Sequence, residues 1–335
     1  MSPRRRAGRK ILAAFLPIIL IVILAVAGLT VWLVYGATHP PRRAYLVTPE
    51  KFASLSDRGL KATEETWVNR DGTRARGWLV RGAEGAPAVV LLHRYGADRS
   101  WHLNLGVKLN ETTNMTVLLP DLRGHGEDPP VLSTSFGTLE ADDVLAALDF
   151  LRGLKTQQGH ALVGDSVGLY GVELGAYSAL AAARSDKSVR ALALDSVPDD
   201  PDMLLNSAVN TRTGLDSGQK KRDVFQTILN VLPLRFLARI GTRLYFSGHY
   251  KNDSACSLAE SLGDRRVPLL SGDDAGPLRQ TTETLVRCFS ARSSVEAQTD
   301  LPSTGYTIAS ASPEEDEAYD RRVIEFFDRA LRAAP

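Results

Sequence analysis

The sequence predicts an α/β domain on a mostly parallel sheet, preceded by one membrane-spanning helix. Three observations predict it. Short, wholly apolar runs such as Ala88–Leu92 read as strands buried on both faces, the habit of parallel sheets covered by helices. These runs alternate with segments whose apolar residues recur at helical spacing. The 25 residues from Ile11 to Tyr35 carry no charge. At ~1.5 Å per residue they exceed the ~30 Å hydrocarbon core of a bilayer.

The chain has 335 residues, 44% hydrophobic and 24% charged. That composition is globular and excludes a disordered, collagen-like or coiled-coil chain. Lys and Arg number 40 against 39 Asp and Glu, so no global field favours nucleic acid. The charge is unevenly placed. Arg4, Arg5, Arg6, Arg9 and Lys10 precede the apolar block with no acidic residue, leaving 35 basic and 39 acidic residues beyond it. The positive-inside rule then puts the N-terminus in the cytoplasm and the bulk of the chain outside, with Trp32 and Tyr35 at an interfacial belt. Ala25-Val26-Ala27 also fits a signal cleavage site, but the apolar run continues eight residues past it, longer than a usual signal core. The organisation is thus a basic tail (1–10), a single-pass signal anchor (11–36), a linker around His39-Pro40-Pro41 (37–60) and one domain (61–335). Cys256 and Cys288 fit either a disulfide in an oxidising compartment or two buried thiols.

The elements follow in order. Glu65–Asn69 and Ala75–Val80 read as a hairpin around Asp71-Gly72. Strand Ala88–Leu92 is followed by a helix near Ser100–Leu109 and a strand at Met115–Leu119. Leu139–Leu151 is helical, with Val144, Ala147, Leu148 and Leu151 on one face. Glu140, Asp142 and Asp143 near its start suit the helix dipole. Val167–Tyr170 is a strand and Leu174–Ala183 a small-residue helix. Strands at Ala191–Leu194 and Val267–Leu270 bracket about 70 less regular residues, too long for a crossover. We read 200–266 as a helical cap, with Lys220-Lys221-Arg222 a solvated face. Val295–Gln298 is a last strand. Ser312, Pro313 and Glu315 form an N-cap, N1 proline and capping box for a final helix, whose apolar face is Tyr319, Val323, Phe326, Phe327 and Leu331.

Several motifs now resemble one family. Leu92-His93-Arg94-Tyr95-Gly96 follows a buried strand. Asp121-Leu122-Arg123-Gly124-His125-Gly126 follows the next one. Gly171-Val172-Glu173-Leu174-Gly175 lies between a strand and a helix. Ser271-Gly272-Asp273-Asp274 ends the strand after the insertion, and Gly305-Tyr306 precedes the last helix. Together they resemble the α/β-hydrolase superfamily over roughly residues 60–332. The resemblance implies about eight strands, helices on both faces and a nucleophile elbow at Glu173. It places an acid at Asp273 or Asp274 and a base at Tyr306. It also implies an oxyanion region of His93, Arg94, Tyr95 and Leu174, the last two through backbone N–H groups.

The chemistry departs from that pattern. The nucleophile position holds Glu rather than Ser. None of the six histidines (His39, His93, His102, His125, His160, His249) lies before the last helix. A phenol with a pKa near ~10 is a poor base at neutral pH. Gly164-Asp165-Ser166-Val167-Gly168 matches G-x-S-x-G literally. Taking Ser166 as the elbow would put Gly168, Gly171 and Gly175 inside a helix, each costly there, so Ser166 reads as a loop residue before the strand. A buried Glu173 needs a partner, and Arg94 replaces the family's glycine nearby, so an Arg94–Glu173 ion pair is expected, joined by the Tyr306 hydroxyl. His125 reads as structural, with Asp121 and Arg123 tying their loop together. No ligand cluster or phosphate-cradling glycine loop points to a metal or cofactor. The sequence therefore predicts a membrane-anchored binding or structural protein without Ser-His-Asp machinery, with a small-molecule or protein partner of unknown identity. The alternative is a hydrolase of esters or peptides working through Glu173 or Ser166.

Overall fold

Residues 3–55, 62–213, 233–306 and 312–332 are described in the computed structural model of the chain. They fall into two compact units, His39–Leu204 with His249–Pro335, and Met1–Thr38 with Leu205–Gly248. The helices are α1 (Pro3–Thr38), α2 (Pro49–Leu55), α3 (Leu103–Thr113), α4 (Thr138–Gly153), α5 (Leu174–Ser185), α6 (Pro201–Thr213), α7 (Leu234–Tyr245), α8 (Ala255–Glu260), α9 (Pro277–Leu285) and α10 (Pro313–Arg332).

The larger unit is built on eight strands: β1 (Ala62–Val68), β2 (Arg74–Val80), β3 (Ala86–Leu92), β4 (Thr116–Pro120), β5 (Val163–Val172), β6 (Val189–Asp195), β7 (Arg266–Gly272) and β8 (Ser294–Leu301). Their order across the sheet is β1-β2-β4-β3-β5-β6-β7-β8. β1 and β2 form the expected hairpin, turning at Gly72 with φ 82 while Asp71 Oδ1 accepts the Thr73 N–H. β2 also runs antiparallel to β4, and each later pairing is parallel.

The strand period of two sorts the core into layers. Val89 and Leu91 of β3, with Tyr170 and Val172 of β5, join a cluster completed by Leu103 and Leu109 of α3 and by Val323 and Phe327 of α10. The alternate residues Val90, Leu92 and Leu169 are equally buried, and α4 and α5 pack against the sheet and each other. A sheet covered on both faces is what the unbroken apolar runs require. α10 starts as its sequence predicts: Glu315 accepts the Ser312 N–H at 2.8 Å, and the Ser312 hydroxyl accepts the Glu315 N–H at 3.3 Å. Tyr319, Val323, Phe327 and Leu331 are buried, with Phe326 half-buried.

One feature differs from expectation. β5 begins four residues earlier than the run Val167–Tyr170, so Ser166 lies within a strand, not in a loop. The polar residues Asp165 and Ser166 are half-exposed or exposed at that end, which hid the extension from the apolar pattern. The stretch 37–60 carries α2 and places Tyr45 against the sheet, its ring 5.1 Å from that of Trp78 and its hydroxyl donating to Asp121. Between β6 and β7 the described residues hold α6, α7 and α8; Lys220, Lys221 and Arg222 lie outside them.

Cys256 on α8 and Cys288 just after α9 form a disulfide. It closes a loop of 32 residues in sequence separation. By chain entropy, reduction is expected to cost about 4 kcal/mol, read as a lower urea midpoint for the reduced protein.

In the smaller unit, Phe15–Thr38 of α1 is long and apolar enough to cross a membrane. α7 packs on its C-terminal third. A Cβ at Gly241 would stand 2.6 Å from Val34 Cγ2 and 2.9 Å from Thr30 Cγ2, so glycine permits the close approach. Leu33, Val34 and Ala37 are buried, and the Arg212 guanidinium lies 5.2 Å above the Trp32 ring.

Candidate active site

β5 ends at Val172 and α5 begins at Leu174, so Glu173 alone makes the strand-to-helix turn, with φ 50 and ψ −104. A non-glycine residue there is strained by about 1–3 kcal/mol and persists only where its surroundings hold it. The surroundings are explicit. Leu92 of β3 pairs with Gly171, and Asp195 of β6 pairs with Val172. The Glu173 N–H donates to the Asp195 carbonyl at 2.9 Å. A Cβ at Gly171 would stand 2.6 Å from the Ala176 nitrogen, and one at Gly175 the same distance from the Leu92 carbonyl carbon. Both flanking residues must therefore be glycine for the turn to close.

The side chain at this turn is buried, with Glu173 only 5% exposed. Its Oε2 accepts the Tyr95 backbone N–H at 3.0 Å. That donor follows β3, at the position the resemblance assigned to the oxyanion region. The first N–H groups of α5, from Leu174 onward, open the helix end beside it. Burial pushes the Glu173 carboxyl up to about 7, opposed by the Arg94 charge and by the Tyr95 N–H.

Arg94 takes a different place from the one expected. Its guanidinium stacks 4.8 Å from the Trp101 ring centroid and 5.4 Å from that of Tyr306. No hydrogen bond or ion pair within 4.0 Å joins it to Glu173 among the described residues. The planar cation lies against two aromatic faces. It acts on Glu173 through space instead.

His93 uses both ring nitrogens structurally. Nδ1 faces the Arg94 carbonyl at 2.8 Å, and Nε2 accepts the Leu122 N–H at 3.0 Å. That pattern fixes the neutral tautomer with the proton on Nδ1. His125 Nδ1 lies 2.9 Å from the Arg123 carbonyl, and its ring packs edge-on against Tyr95 at 5.5 Å. Burial pushes His93, His102 and His125 down to about 3. The loop carrying His125 is tied as anticipated: Arg123 binds Asp143 and Asp71, while Asp121 receives the Tyr45 hydroxyl and the Arg99 N–H. Glu140 turns back to accept the Gly137 N–H and the Ser135 N–H and hydroxyl, capping α4. Asp273 is exposed and pairs with Arg279; the Asp274 side chain lies outside the described residues. Ser166 sits on β5 seven residues before Glu173, ~23 Å away at strand rise, toward the N-terminal end of that central strand and away from the elbow. Among the described residues no group of three or more His, Cys, Asp or Glu is placed to hold a metal.

The sequence reading missed the buried acid beside the elbow. Asp195 is fully buried and accepts the Tyr319 hydroxyl at 2.6 Å, the Gly305 N–H at 2.7 Å and the Ser196 hydroxyl at 2.8 Å. Burial pushes its carboxyl up to about 6 against those bonds. The Tyr170 and Tyr319 hydroxyls meet at 3.0 Å. Asp195 therefore ties the end of β6 to the Gly305-Tyr306 turn and to α10. A charge closing the apolar run Ala191–Leu194 was the available signal.

A sheet in this order, with a strained residue between its central strand and a helix, and a backbone donor from the neighbouring loop, defines the α/β-hydrolase class. A family model described as the alpha/beta hydrolase family matches residues 89–335, and the chain belongs to that family. The chain resembles an esterase of Pyrococcus furiosus at 19% identity and a TM-score of 0.62, covering 88% of this chain and 98% of that one. It also resembles the α/β hydrolase GrgF of Penicillium sp. sh18, at 16% identity and a TM-score of 0.55 over 82% and 100% of the two chains. At such identities the likeness is one of fold. A curated relative, the thiohydrolase aneE of Aspergillus aculeatus, is 28% identical over 129 residues, 38% of this chain. The match spans 39% of that relative's length.

Proposed function

We propose that this chain is a membrane-anchored, non-hydrolytic member of the family, a binding or structural protein whose former acyl-transfer site is occupied by its own side chain. The observation that carries this reading is the 3.0 Å hydrogen bond from the Tyr95 N–H to Glu173 Oε2. An oxyanion hole works by holding empty donors where negative charge will develop. Here the Glu173 carboxyl already takes a donor, and once ionised it would repel a second anion beside it. Nor does an imidazole stand at the turn before α10, where Tyr306 lies beneath Arg94. A glutamyl ester, once formed, would have no base to activate water.

The same reading places the apolar stretch of α1 in a bilayer, with the basic residues at its N-terminal end on the cytoplasmic side and the sheet outside. The Cys256–Cys288 disulfide supports that side, since such bonds persist in oxidising compartments. The organisation is then tail 1–10, anchor 11–36, linker 37–60 and a hydrolase-fold domain 61–335 with its cap at about 200–266.

One observation favours an active enzyme instead. Glu173 keeps the strained turn of a nucleophile and sits at about 7, within reach of neutral-pH proton chemistry. The names of the relatives, esterase and thiohydrolase, then give esters and thioesters as the substrates to try. Activated aryl esters, aryl thioesters and short peptides incubated with the full chain in detergent are expected to turn over no faster than without protein. Glu173→Ala and Ser166→Ala are expected to change nothing. Turnover by the wild-type chain that Glu173→Ala abolishes would reject the non-hydrolytic reading.

A further inference from the structure

α7 presents an outward face left exposed among the described residues. Leu234, Ala238 and Thr242 are buried, and Gly241 lies on α1. On the other side Phe236 (58% exposed), Ile240 and Leu244 (74%) recur every fourth residue and form one apolar stripe. Arg235 and Arg243 are exposed immediately beside it, with the half-buried Arg239 between them, four residues from each. A large apolar stripe in water is costly, at roughly 25 cal/mol per Å². An apolar stripe flanked by arginines matches a helix lying in a lipid interface, with its side chains among acyl chains and its cations at headgroups.

The place of this face in its unit names the occupant. Gly241 meets α1 at Thr30 and Val34. Those residues lie within the last third of α1, beside Trp32 and Tyr35. An anchor helix and a helix packed on its C-terminal third share the same depth scale. If Trp32 and Tyr35 mark the interface, α7 lies at that level. We propose that α7 is an interfacial helix that seats Phe236, Ile240 and Leu244 in the bilayer around the anchor and its flanking arginines on anionic lipid headgroups. This rests on the membrane-anchor reading above and extends it, giving the chain a second, lipid-sensitive attachment.

The test uses the full chain with its disulfide intact, reconstituted in nanodiscs of phosphatidylcholine and phosphatidylglycerol. Single cysteines are introduced in turn by Leu20→Cys in α1, Phe236→Cys and Leu244→Cys in α7, and Leu46→Cys in the other unit, each labelled with an environment-sensitive fluorophore. Lipids carrying a nitroxide on the acyl chain serve as quencher. Labels at 236 and 244 are expected to be quenched nearly as strongly as the label at 20, while the label at 46 keeps its emission. The quenching at 236 and 244 is expected to fall in phosphatidylcholine alone or in molar salt. Quenching at 20 without quenching at 236 and 244 would overturn the interfacial helix and leave the anchor standing. No quenching at 20 would overturn the anchor reading itself. Equal quenching at 236 with and without phosphatidylglycerol would overturn the role of the arginines.

Discussion

Gly175→Ala is expected to lower the stability of the hydrolase-fold unit by about 3 kcal/mol, the upper range for overpacking a rigid site. The reason is geometric. The added methyl would meet the Leu92 main chain, 2.6 Å from its carbonyl carbon. Neither side can give, because Leu92 is held in register with Gly171 by the β3–β5 pairing, and Gly175 sits in the first turn of α5. A flexible side chain would move aside; a central strand will not. Gly153→Ala is the control. It lies at the end of α4 with nothing within 4 Å of its would-be Cβ, so alanine there is expected to stabilise by about 0.5 kcal/mol through reduced freedom of the unfolded chain. Urea denaturation followed by far-ultraviolet circular dichroism separates the two. Equal midpoints for Gly175→Ala and the wild type would mean that the elbow does not close as tightly as its contacts require.

The two glycines of the elbow also show why the fold was legible in the sequence. Gly171 and Gly175 are dictated by backbone contacts across a turn, and such contacts leave a pattern of residue types at fixed spacing. The same holds for the capping box at Ser312 and Glu315 and for the double-sided burial of Val90 and Leu91. The site was legible only in part. That Glu173 stands at the turn follows from its flanks. What its carboxylate binds does not, because the donor is a main-chain N–H at Tyr95, which carries no side-chain signature. Arg94 was read by charge and expected on a carboxylate. The aromatic faces of Trp101 and Tyr306, brought in from distant segments, decided otherwise. Asp195 was passed over because it ends a strand, where a single aspartate reads as a turn residue until Tyr319 and Gly305 are seen to converge on it.

Glu173→Gln is expected to stabilise the protein at pH ~8 by about 3 kcal/mol and to leave it unchanged near pH ~4. Burial raises the folded-state pKa of Glu173 from 4.5 to about 7. The folded chain therefore holds a proton there between those values that the unfolded chain has released. The contribution of a raised carboxyl is fully present below its unfolded pKa and is lost as pH rises through the folded one. Two and a half pKa units correspond to about 3 kcal/mol. Glutamine keeps an oxygen to accept the Tyr95 N–H and brings no charge, so the difference between variant and wild type should open across pH ~4.5 to 7 and then stay constant. His93, His102 and His125 act in the opposite sense. Held near 3 by burial, they contribute stability above their unfolded pKa that is lost as pH falls, but they do so equally in both proteins and cancel in the difference. A difference that is flat with pH would show that Glu173 titrates in the folded chain as in the unfolded one and is ionised above pH ~4.5. The carboxylate would then be an anion at neutral pH in the oxyanion region, held by Tyr95 and the field of Arg94 strongly enough to offset its burial. A difference that opens as described would instead make the elbow a site whose charge changes near neutrality, neutral and donor-capable below pH ~7 and anionic above it. Any ligand that reads this pocket would then be required to match one of the two states.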